Sequence, residues 1–145
     1  MSQLTLSQAS TIVDAALAKG RARNLKPLTV AVLDAGGHLV ALKREDRSSL
    51  LRPEIAYGKA WGALGMGFGG RELARRAAAA PAFMAALTVA AAGRMVPVPG
   101  GVLIRTAEGD LVGAAGISGD VSEADELCAI AGIEAAGLVP DTGEA

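Results

Sequence analysis

Two apolar ribbons, each folded about a polar turn that contains glycine, constrain this chain more than any other feature. The first reads "LTVAVLD" (28–34), "AGGH", "LVALKR" (39–44), and the second reads "GVLIRT" (101–106), "AEGD", "LVGAAGI" (111–117). Aliphatic and β-branched runs separated by so short a glycine-bearing turn form antiparallel hairpins, because glycine supplies the positive φ that a tight return needs. Strands adjacent in sequence argue for an antiparallel sheet. Since "LTVAVL" and "VLI" are apolar on both faces, helices must cover that sheet on both sides. The expectation is an α+β fold in one domain spanning residues 1–145, a size at which a chain that is 51% hydrophobic buries one core.

The remaining sequence supplies the helices. Thr5 with Gln8 has the form of a capping box, and Ala9, Ile12, Val13, Ala16 and Leu17 recur at helical spacing, so a first helix is expected from about Leu6 to Arg23. Pro53 suits a first turn, and Ala56, Ala60, Ala63 and Leu64 follow on one face of a second helix ending near Met66. After "GMGFGG", "RELARRAAAA" predicts a short helix stopped by Pro81, whereas 82–99 mixes alanines with the prolines of "MVPVPGG" and gives no clear element. Ser122 is expected to cap a last helix with Asp125 at the reciprocal position. Ala124, Leu127, Cys128 and Ala131 lie along its apolar face, Gly137 and Pro140 end it, and "DTGEA" frays.

The totals exclude several function classes. Lys plus Arg number 14 against 15 Asp plus Glu, and aromatics are scarce, so neither a phosphate backbone nor an anionic membrane surface finds a partner. Cys128 and His38 are the only residues of their types, which excludes an intrachain disulfide and a zinc site of clustered Cys and His; a metal would have to arrive with a cofactor. Residues 77–93 are uncharged, but they are short for a span, contain Pro81 and are mostly alanine, so no membrane helix is expected. No secretory signal is visible, which makes the cytoplasm the expected location.

Taken together, "VAVLDAGGHLVALKRED", "EIAYGKAW", "PGGVLI" and "VGAAGISGDVSEADELCAIAGI" resemble the GlcG/HbpS family (DUF336) of haem-binding-like proteins. The chain is also similar to the C-terminal domain of PduO-type corrinoid adenosyltransferases. The resemblance implies a profilin-like fold, a central antiparallel sheet flanked by helices, assembly as a homo-oligomer, and haem or another small molecule as ligand. The chain departs from the family's usual residues at Leu103, where proline is frequent, and at Arg47, where glycine is frequent.

The residues themselves nominate several sites. Lys59, beside Gly58 and Gly62, would sit in a groove left by short neighbours, where an ammonium binds a carboxylate or loses its charge to act as base or Schiff-base nucleophile; the family's recurrent "KA" strengthens it. His38 follows the Gly-Gly turn, open to solvent or a partner subunit, as a general base or iron ligand, although no orienting carboxylate is evident in the sequence. Haem would draw an axial ligand from His38, Tyr57, Cys128, Met66, Met84 or Met95, and propionate partners from Arg71, Arg75 and Arg94. Cys128 on an apolar helix face reads as an inert core thiol. Arg44 and Asp46 match the family's R-x-D at the end of the first hairpin, facing the second helix, as a salt bridge or a site. Arg71, Arg75 and Arg76 read equally as a solvated helix side paired with Glu72. Gly100 and Gly101 of "PGG", and Ser118 with Gly116 and Gly119 before the last helix, could cradle an anion; the acids Asp120, Glu123, Asp125 and Glu126 argue instead for a structural turn. Any ligand is expected in the seam between sheet and helices. The three readings are a haem- or small-ligand-binding homo-oligomer, a cofactor-independent enzyme acting on a small carboxylated metabolite through Lys59, and a non-catalytic accessory protein.

Overall fold

The computed structural model describes residues 2–144. In order, the elements are α1 (Leu6–Ala22), β1 (Thr29–Asp34), β2 (Leu39–Arg44), α2 (Arg52–Met66), α3 (Gly70–Ala79), α4 (Pro81–Ala90), β3 (Gly101–Arg105), β4 (Leu111–Ser118), α5 (Ser122–Ala135) and β5 (Val139–Asp141). The strands make one antiparallel sheet in the order β2-β1-β4-β3-β5. The two hairpins therefore join through β1 and β4, where Thr29 pairs with Ser118 and Asp34 with Gly113.

Both faces are covered, as strands apolar on both sides require. Ile12, Val13 and Ala16 of α1 and Cys128, Ala129 and Ile133 of α5 pack on Val30, Val32, Val102, Ile104 and Ile117. The opposite face is roofed by α2, where Ala60 and Ala63 meet Leu33, Leu103 and Ala114. Glycine is what lets α2 approach so closely. A methyl added at Gly116 would fall within the van der Waals radius of the Ala56 carbonyl oxygen, and one at Gly101 within that of Lys59. The expected ligand-holding seam between α2 and the sheet is thus closed by backbone contact.

Several local expectations hold. Thr5 and Gln8 form the capping box of α1, each accepting the other's backbone N–H at 3.0 Å. The turn of the first hairpin places Gly37 at φ 83, and Asp34 Oδ1 accepts the N–H groups of Gly36 and His38, both at 3.0 Å.

Other elements differ. Val121, not Ser122, occupies the cap position of α5, and it makes no side-chain cap bond. Asp125 instead turns inward, its Oδ1 accepting the N–H of Asp120 at 3.1 Å. Residues 81–90 form a helix, with Pro81 in the first turn, where its missing N–H costs nothing. The C-terminal segment does not fray within the described residues: β5 pairs with β3, and Asp141 binds Arg105 at 2.9 Å. Pro140 is tolerated there because β5 is an edge strand. Leu103 lies fully buried between β4 and β5, paired with Ala114 and Asp141; a ladder N–H here is one that proline could not offer.

Candidate functional site

Four of the nominated residues converge where β3 begins and β4 ends. Lys59 projects from α2 into the protein, its side chain 4% exposed, and Nζ donates to the Ile117 carbonyl at 2.8 Å and to Asp125 Oδ2 at 3.2 Å. Gly100, at φ 112, lies over that ammonium, and a Cβ there would stand 2.8 Å from Nζ. Gly101 seats the backbone of Lys59, and the buried Ser118 hydroxyl accepts from Arg52 Nη1 at 3.0 Å. Burial pushes the Lys59 ammonium below its ordinary pKa against the attraction of Asp125, and burial pushes Asp125 above its own against Lys59.

This cluster is sealed. The expected groove beside Lys59 is absent because Gly58 and Gly62 face Val96 and Met95, and the lysine leaves α2 toward the sheet. Both charges are matched by each other, the Ile117 carbonyl and the Asp120 N–H, which is how a fold keeps an ion pair out of water.

Arg71 and Arg75 are held elsewhere. Arg71 reaches across to Glu126 of α5, with Nη2 at 2.7 Å and Nε at 2.9 Å from Oε1, while Glu126 Oε2 is buried without a protein partner. Arg75 pairs with Glu72, as does Arg76, in accord with the intrahelical pairing expected; Arg75 also donates to the Gly143 carbonyl. Arg44 makes no bridge with Asp46; its Nη1 donates to the Ser48 carbonyl at 2.8 Å. Cys128 is fully buried and its thiol is pushed up to about 11 by burial, so it is an inert core group. Met84 and Met95 are buried against each other, with Met66 packed on them. Arg94 stacks over the Trp61 ring at 4.0 Å.

His38 is different, being 80% exposed in its side chain, with Nδ1 3.1 Å from Asp34 Oδ1. The carboxylate missing from the sequence reading is supplied by Asp34 across the turn. Slight burial pushes the Asp34 carboxyl upward, but the His38 and Gly36 N–H groups and the imidazole outweigh it and hold it below its ordinary value. With Nδ1 occupied, the arrangement presents Nε2 outward, as in imidazoles oriented for ligation. The pair lines a cleft of about 620 Å³ formed with Leu4, Leu111 and Val112, at the end of the sheet opposite Ser118. It is roomier than two other surface clefts, one of about 360 Å³ beside Tyr57 and Arg94 and one of about 410 Å³ beside Arg44 and Asp46. Lys59 lines none of them.

Fold and cleft together define an α+β domain with a single antiparallel sheet, helices on both faces and a ligand-sized opening where the strands turn. The chain belongs to the HbpS-like family, described as haem degrading protein HbpS-like, whose model matches residues 4–134. Similar solved structures include a PduOC:heme complex, 26% identical with TM-score 0.85, covering 99% of this chain and 100% of that one. HbpS is 30% identical with TM-score 0.78, covering 92% of this chain and 90% of that one. The DUF336 protein ORFY of Klebsiella pneumoniae, at 24% identity, TM-score 0.81 and coverage of 94% and 93%, attests the fold alone. No functionally curated protein is significantly similar to the chain in sequence. Among the described residues, no helix is long and apolar enough to cross a membrane.

Proposed function

We propose that this protein binds haem or a related tetrapyrrole in the cleft at the sheet end, with His38 as the group facing the iron. The observation that carries this reading is the Asp34-held imidazole on the wall of the cleft of about 620 Å³, in a chain of a haem-associated family. The residues fit the group in three respects: an oriented imidazole, an apolar wall of Leu4, Leu111 and Val112, and a volume of about 620 Å³ in the range of small-molecule sites. Haem, if bound, would supply an iron for which His38 is the residue placed to act as ligand. Asp34 fixes the orientation of the ring through its contact with Nδ1. Among the described residues the cleft offers Asp34 and Asp110 but no Lys or Arg to hold a propionate, and Arg71 and Arg75 are engaged by Glu126 and Glu72.

Native mass spectrometry after expression with added haem tests this. One haem per chain is expected, lost in His38→Ala; haem retained equally by that variant excludes His38.

The enzymatic reading has less support, because the Lys59 side chain is 4% exposed and lines none of these clefts; turnover of a small carboxylated metabolite that disappears in Lys59→Ala would restore it. Self-association is proposed from Leu39, Leu42, Leu50 and Leu51, which are exposed by 52%, 36%, 92% and 61%, respectively. Apolar side chains grouped on one strand edge and the following loop are what subunit contacts cover. A cytoplasmic location accords with the lone free cysteine.

A further inference from the structure

At the opposite end of the sheet from His38, three residues form a row across the strands on the α2 side. Arg44 pairs with Thr29 across β2 and β1, and Thr29 with Ser118 across β1 and β4. Ser48, from the loop before α2, closes the row: its hydroxyl lies 2.8 Å from Thr29 Oγ1, and its carbonyl accepts from Arg44 Nη1. Arg52, in the first turn of α2, donates to Ser118 Oγ at 3.0 Å and through Nε to Ser49 Oγ at 3.1 Å. Arg52 thus ends on the Ser118 and Ser49 hydroxyls and Arg44 on the neighbouring Ser48 carbonyl, so both guanidiniums meet only neutral acceptors.

A guanidinium carries five donors. Arg52 spends two and Arg44 one on the protein, and neither bridges to a carboxylate among the described residues. Arg47 adds a third cation to the same loop at φ 70, a conformation in which glycine would sit without strain. The buried ammonium of Lys59 lies close enough for Arg52 to disfavour its charge. That ammonium is matched by Asp125, so the unmatched charge lies on the arginines. Glu45 is held by Arg21 at 3.0 Å and by the Leu28 N–H at 2.7 Å, which leaves Asp46 in the loop. Unspent, forked donors beside fixed hydroxyls match the oxygens of a carboxylate or a phosphate group.

We infer that Arg44 and Arg52, with Ser48, Ser49 and Ser118, form a binding site for a small oxyanion, separate from the His38 cleft and independent of the haem reading. Such a site would hold a free metabolite by its carboxylate or phosphate end.

The test is a titration followed by amide chemical shifts and by the Arg Nε–H signals, at constant ionic strength, with sodium phosphate, malonate and chloride in separate arms. Saturable shifts confined to Arg44, Arg52 and the 48–52 segment are expected with phosphate or malonate and not with chloride. The tighter of the two identifies which oxyanion the site prefers. Arg52→Gln, with unchanged far-UV circular dichroism, should weaken the apparent Kd by about tenfold, the loss of one charge-assisted hydrogen bond. Arg44→Gln serves as a second variant in case Arg52→Gln fails to fold. Shifts that follow chloride equally, or saturation unchanged in both variants, overturn the site. A fall in subunit number in either variant without anion binding by the native chain also overturns it, since the guanidiniums then meet a partner subunit's carboxylates.

Discussion

The residue whose environment departs most from its chemistry is Lys59. A lysine in a helix ordinarily extends to water, yet this one is 3% exposed and shares the interior with Asp125, which is 0% exposed. Removing one partner leaves the other charge buried and unmatched. Lys59→Met is therefore expected to lower unfolding free energy by about 3–5 kcal/mol in urea titration. The double change Lys59→Met with Asp125→Leu should recover part of that loss, because no orphan charge remains; a double variant as unstable as the single one would contradict this account. Cys128 gives a pH prediction. Its folded pKa of about 11 exceeds the ordinary 9.0, so the neutral thiol contributes stability that is complete below pH 9 and lost as pH rises through 11. The native chain should lose at most about 2–3 kcal/mol across that window relative to Cys128→Ala, whose curve lacks this component. Little of this was legible in the sequence. Lys59 and Asp125 stand 66 positions apart and no spacing rule joins them, whereas the buried thiol followed directly from the apolar face of α5. Asp34 and His38 are four apart, and their contact depends on a turn conformation that a Gly-Gly pair permits without dictating.

Among the elements, α2 decides what the molecule can hold. Its alanine face rests on the sheet at Gly116 and Gly101 so closely that the intervening space admits no ligand. Gly116→Ala places a methyl against the Ala56 carbonyl, with no flexible side chain to yield. A loss of about 3 kcal/mol or more, with α2 displaced, is expected by thermal unfolding; an unchanged melting temperature would mean that the helix lies farther from the sheet than described. Both hairpins, the capping box of α1 and the two-sided covering of the sheet follow from local pattern, since apolar alternation and glycine-bearing turns act over a few residues. The inner β1–β4 pairing and the closed α2 seam do not, because they depend on which small residues meet across more than forty positions. The segments that read poorly, 82–99 and the C-terminus, became α4 and β5 through tertiary contacts: Met84 against Met95, and Asp141 against Arg105.

For the whole molecule, the two ends of the sheet have opposite character. One end carries the acid-held imidazole, apolar wall and open cleft, and the other carries guanidiniums over buried hydroxyls; the exposed leucines lie on the β2 edge strand, from Leu39 beside the first end, and on its following loop. Self-association through those leucines predicts a mass above that of one 14.5 kDa chain in light scattering, reduced by Leu42→Glu with Leu50→Glu. A monomeric native chain would contradict it. The haem reading rests on His38 and Asp34 acting as a unit at the other end. The most direct measurement is a haemin titration monitored in the Soret region for the native chain, Asp34→Asn and His38→Ala side by side. The account predicts a saturable band shift at one haem per chain, weakened by about 10–100-fold in Asp34→Asn and abolished in His38→Ala. A shift of equal amplitude and midpoint in all three proteins, or unsaturable absorbance in the native chain, would contradict it.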